Sequence, residues 1–238
     1  MAGRAHKIAI GIAAIAVLAM PAGAAPVMGK TVYKHYAVRG ETPAEIIVDI
    51  WRQRRVNRGD FSIASIQTSV EPSGRLQSGK TCKVKDFSVK TSYVITLPRH
   101  VGERRLKSRT RRLYRAFIKN ARKHELTHRA IYEKCMTRFV RSVRQMTPQR
   151  SCAAARRVIT RIAKLESLRC RAENLAFDKR EYAKSARLPL LRQALADTEA
   201  LKAARLSTGR INVFAGDAGA FSSSAVLLRR HNRAMENK

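Results

Sequence analysis

The chain has 238 residues, 45% of them hydrophobic, and its 49 Lys and Arg against 17 Asp and Glu leave a formal net charge of +32. That length is enough for one sizeable core with an appended tail and argues against several independent domains. The charge predicts association with polyanions and is silent on fold.

In chain order, residues 1–24 read as an export leader. Arg4 and Lys7 precede the apolar run Ile8–Met20, and Ala22-Gly23-Ala24 has the small-x-small pattern of a cleavage site, which starts the mature chain at Ala25. The apolar run is shorter than the roughly 20 residues a membrane span needs, and no later segment is apolar enough to span. A periplasmic or secreted location is therefore expected. In that oxidising compartment Cys82, Cys135, Cys152 and Cys170 should form two disulfides, with three connectivities open. Their spacing excludes a C-x-x-C zinc ribbon. Outside the cytoplasm the basic surface is expected to meet anionic lipid headgroups, cell-wall polymers or acidic proteins, and not nucleic acid.

The stretch "TVYKHYAV" opens the mature domain, here residues 25–187, with strand-like spacing and ends at a turn on Gly40. Thr42, Pro43 and Glu45 have the order of N-cap, first helical residue and capping-box partner, predicting a helix over Pro43–Gln53. Phe61–Val70 and Cys82–Pro98 alternate and are rich in β-branched residues. With turn signals at "EPSGR" and Lys85-Asp86, they predict two to four strands of a small antiparallel sheet. From Arg104 to Met146 the chain has helical period without Gly or Pro; "TPQRS" interrupts it, and it resumes from Cys152 to about Arg187. Two long helices with so short a connection should pack as an antiparallel hairpin. In residues 188–238 the pattern gives a third helix over Leu188–Leu206 and a loose tail. The fold class expected is α+β.

Within the first long helix lies "HELTH", His124 to His128. Six His and eleven Glu in this chain give a chance HExxH roughly 0.007 times. Residues four apart share a helix face, so His124 and His128 can reach one ion. Both fall on the apolar stripe Leu113, Phe117, Ala121, His124, His128, Ile131, Cys135, Phe139, which should face the core. Glu125 is expected about 100° round the helix, on its flank, within reach of a water as general base. A catalytic zinc needs a third protein ligand. A hairpin turning near residue 148 places the histidines opposite roughly 167–171, making Glu166 and Glu173 candidates. Asp178 and Glu181 follow if the helices are offset, with His35 and His100 on the sheet portion as alternatives.

The segments "YKHYAVRGETPAEI", "CKV", "ITLPRH", "HELTH", Cys152 and "NLAFDKREY", in this order over about Thr31–Lys184, resemble a bacterial family catalogued as domain of unknown function 922 and expected to be secreted zinc-dependent proteases. The resemblance implies an exported metallopeptidase of zincin-like fold, with zinc on His124 and His128 and Glu125 as base. It also implies a Cys82–Cys152 disulfide, leaving Cys135 to pair with Cys170. An ideal hairpin would hold that second pair roughly 15 Å apart along the axis, so the two expectations conflict. The family pattern continues past an aromatic and an Asp, here Phe177 and Asp178, to a Thr and a His-Gly pair. This chain has Glu181 and Ala183 there, so that either Asp178 or Glu181 supplies the third ligand or the metal site is degenerate.

The expected activity is hydrolysis of a peptide or protein substrate held by edge pairing along the strand ending "VITLP". The other expectation, from a different class, is a non-catalytic cationic envelope protein that has kept the fold and binds polyanions.

Overall fold

A computed structural model describes residues 29–53, 62–185 and 187–197; the expected leader and the tail beyond residue 197 lie outside them. The order of elements is β1 (Thr31–Val38), α1 (Pro43–Gln53), β2 (Ser65–Gln77), β3 (Lys83–His100), α2 (Ser108–Arg144), α3 (Cys152–Ser185) and α4 (Pro189–Ala196). The fold is α+β.

The capping box starts α1 where the sequence places it. Thr42 Oγ1 accepts from the Glu45 N–H at 3.3 Å, and Glu45 Oε2 accepts from the N–H groups of Thr42 and Glu41 at 3.2 and 2.7 Å. Gly40 has φ +118°, and a Cβ there would meet the Glu45 Cβ and Ile46 N at 2.8 Å, so the turn from β1 into α1 requires glycine.

The sheet is mixed, a correction to the antiparallel expectation. Its order is β1-β3-β2, with β1 parallel and β2 antiparallel to β3. The helix α1 intervenes between β1 and the hairpin, so β1 returns to the sheet without a tight turn and runs parallel. The expected turns are absorbed inside long strands. "EPSGR" lies within β2, Lys85-Asp86 within β3, and they face each other across a register shift between Ser73 and Arg75. Asp86 supplies the left-handed backbone of the bulge, at φ 52°. The hairpin connection lies instead between Gln77 and Lys83. Because β3 is central, Val94–Thr96 of the stretch "VITLP" are paired with β1 on one side and β2 on the other and offer no edge for a substrate strand, contrary to expectation, while Leu97 and Pro98 pair with β1.

One face of β3, Phe87, Val89, Thr91, Tyr93, Ile95 and Leu97, is buried at the period of two expected for a strand with one covered side. The covering element is α2, with Phe139 edge-on to Phe87 at 5.4 Å and the Arg129 guanidinium over the Tyr93 ring at 5.3 Å. Ile46, Ile47 and Ile50 of α1 and Leu190, Leu191 and Ala194 of α4 extend this core.

Both disulfides form, Cys82–Cys152 and Cys135–Cys170, with Cα atoms 5.0 and 5.8 Å apart. The conflict between the second pair and an ideal hairpin is resolved by an offset. The connection after α2 runs extended, and Gln149 exchanges two backbone hydrogen bonds with Cys82, at 2.7 and 2.9 Å, instead of turning tightly. Ser151 Oγ then caps α3 through the Ala154 N–H at 3.2 Å. The first turns of α3 thus lie beside the connection, and Cys170 comes level with Cys135.

The Cys135–Cys170 bond closes a separation of 35 residues and Cys82–Cys152 one of 70. Replacing either pair by alanine should lower unfolding stability by about 4 kcal/mol on the chain-entropy account, measured by urea unfolding of the oxidised proteins.

Candidate metal centre

His124 and His128 are i and i+4 on α2, and both are buried. Asn174 and Asp178 are i and i+4 on α3 and face them. His128 Nδ1 lies 2.6 Å from Asn174 Oδ1, while Asn174 Nδ2 donates to the Cys170 carbonyl at 2.9 Å. The second bond fixes the amide orientation, so Asn174 Oδ1 is the acceptor and His128 Nδ1–H the donor. Neutral His128 therefore turns a lone pair on Nε2 toward the site, the tautomer a metal ligand needs.

At that point three acceptor atoms converge. His128 Nε2 is 2.9 Å from His124 Nε2 and 2.9 Å from Asp178 Oδ1, and His124 Nε2 is 3.2 Å from the same oxygen. With His128 presenting a lone pair on Nε2, either a proton on His124 Nε2 or a cation among the three atoms satisfies these separations. Ligands about 2.0 Å from a tetrahedral zinc stand about 3.3 Å apart, so the triad needs to spread only by tenths of an ångström to hold one. Among the described residues, His124, His128 and Asp178 form a group that could hold a metal ion, with ligand atoms all within 4.8 Å of one another. Phe177 walls the site, its ring centroid 4.7 Å from His124 and 5.0 Å from His128.

Burial pushes the His124 imidazole below its ordinary pKa, with Asp178 opposing. Burial also acts against charge on His128, but hydrogen bonds to Asp178 and Asn174 and the nearby Glu125 carboxylate outweigh it and raise its pKa. Burial would raise the Asp178 carboxyl; the two imidazoles hold it below the usual range instead.

Glu125, about 100° round α2 from His124, is fully buried. The burial of Tyr114, Tyr132 and Met136 shows why: α2 has the sheet on one side and α3 on another, so its covered face is wider than a single stripe. Glu181 stays outside the triad and pairs with Lys184 at 2.7 Å. Glu166 and Glu173 are taken by Arg138, at 3.1 and 3.0 Å. His35 is exposed on β1. His100 has a structural task, donating from Nε2 to the Gly40 carbonyl at 2.6 Å and accepting the Gly102 N–H on Nδ1 at 3.0 Å. Asn174 was not foreseen from the sequence; its only signal is the spacing of four from Asp178.

A model of the family described as a bacterial protein of unknown function (DUF922) matches residues 33–184. The chain belongs to this family. The match spans β1 to α3 and so contains every residue of the centre. No curated protein matches the chain, and no solved structure does.

Two outcomes follow. Asn174→Leu frees the His128 ring and should weaken divalent-metal affinity by about 10–100-fold, read by competition with a chromophoric chelator. In metal-free protein, the stability difference between wild type and Asp178→Asn should depend on pH in a stated direction. A raised His128 stabilises the fold fully below 6.5 and loses this as pH rises through its folded pKa; a lowered Asp178 contributes above 3.8 and loses this as pH falls. The difference should be largest between those values and shrink on either side, measured by chemical unfolding in chelator.

Proposed function

We propose that the protein is an exported zinc-dependent peptidase of zincin-like design. The observation that carries the reading is the convergence of His124 Nε2, His128 Nε2 and Asp178 Oδ1, with Asn174 selecting the His128 tautomer. Three protein ligands leave one tetrahedral position for water or substrate, the pattern of catalytic and not structural zinc. When bound, zinc supplies Lewis acidity, polarising a scissile carbonyl and bringing the pKa of a water to about 7.

The chain's own residues provide the rest. Glu125, next in sequence to one histidine and close enough to act electrostatically on the other, accepts the proton of the attacking water and passes it to the leaving amine. Phe177 keeps bulk water from the imidazole rings. Asp178 takes the place of the third ligand that Ala183 cannot supply. Export is supported by the two disulfides, and no helix among the described residues is long and apolar enough to cross a membrane.

The purified protein, saturated with zinc and dialysed, should retain one zinc per chain. His124→Ala with His128→Ala should abolish retention, and absence of zinc in the wild type would sink the reading. Glu125→Gln should keep the metal and lose at least about 100-fold in cleavage of an unfolded peptide substrate. Zinc retained by a wild type that cleaves nothing favours the non-catalytic envelope protein instead.

A further inference from the structure

Three of the large hydrophobic side chains exposed among the described residues share one helix. Leu165, Leu168 and Leu175 are 60%, 56% and 50% exposed. At 100° per residue they fall within an arc of about 80° on the side of α3 turned away from α2. Scattered exposed leucines need no explanation, but a line of them over about 15 Å is a patch.

Among the described residues, the unpaired charges around the line are of one sign. The acidic residues of α3 are all paired: Glu166 with Arg138 of α2, Glu173 with Arg138 and with Arg169, Asp178 with the histidines, and Glu181 with Lys184. Arg161 and Lys179 are exposed at its two ends, Lys164 and Arg171 on one flank, and Arg169 on the other. The helix thus presents apolar tips with unpaired Arg161, Lys164, Arg171 and Lys179 at its ends and on one flank and the Arg169–Glu173 pair on the other, on a chain of net charge +32. A soluble polyanion would engage the Arg and Lys but leave the leucines in water. A bilayer containing anionic lipid satisfies both, with headgroup phosphates on the basic rim and the acyl boundary under the leucines.

We propose that the outward face of α3 is a docking surface for membranes rich in anionic phospholipid. This surface is independent of the metal centre, which lies on the opposite face of the helix.

The test is cosedimentation of the purified exported protein with vesicles of phosphatidylcholine alone and of phosphatidylcholine mixed with phosphatidylglycerol. Affinity for the mixed vesicles should exceed that for the neutral ones by at least about ten-fold. The triple variant Leu165→Gln, Leu168→Gln, Leu175→Gln keeps the net charge and changes only exposed positions. It should lose at least about ten-fold in affinity for the mixed vesicles, with an unchanged circular dichroism spectrum and zinc content. A second variant, Arg161→Gln, Lys164→Gln, Arg171→Gln, should weaken binding to the mixed vesicles only. Failure of the wild type to sediment with them overturns the proposal. So does a folded leucine variant that binds like wild type, since charge alone would then suffice. Self-association without vesicles that the leucine variant abolishes would assign the face to a second copy of the chain and overturn it equally.

Discussion

The relative register of α2 and α3 is the constraint on which everything else in this molecule rests. A helix carries side chains at fixed spacing, so sliding α3 by one turn, about 5.4 Å, would bring another residue into the place of Asp178. The offset is held at three heights: the extended exchange between Cys82 and Gln149 with its disulfide to Cys152, the Cys135–Cys170 bond, and the Arg138 guanidinium between Glu166 and Glu173. Cys170 serves twice, since its sulfur fixes the register and its carbonyl orients Asn174, which in turn sets the ring of His128.

The sheet performs the complementary task of holding α2. Its buried face offers β3 as a continuous apolar floor, and α2 lies on it with Phe139 against Phe87 and Arg129 against Tyr93. Between that floor and α3, the free side of α2 near HELTH is the strip that carries Arg122, Lys123 and Ala130. This is why Glu125 is buried along with its histidine neighbours, and why the three side chains are rigidly presented.

Local chemistry was legible in the sequence, and long-range pairing was not. The limits of α1 follow from a capping box of adjacent residues, and the two long helices from uninterrupted period. The residues Gly74 and Asp86 are of types that serve turns and bulges alike, so the residue types alone do not separate a hairpin from an irregularity within long strands. The direction of β1 depends on a partner 62 residues away, Thr31 on Tyr93. The histidine pair was recognisable because its spacing is the chemistry. Asp178 was one of several carboxylates until the offset, set by Gln149 and Cys82, selected it. Asn174 belongs to no motif, because a supporting amide is defined by what it faces.

The double duty of Cys170 also makes the surroundings of His128 depend on a covalent bond. In a chain with free thiols, the Cys82–Gln149 backbone exchange and the Arg138 pairs with Glu166 and Glu173 are the ties that remain on the height of Asn174 and Asp178. The covalent bond therefore adds to those ties a constraint that persists when they open, on the height at which Asn174 meets His128.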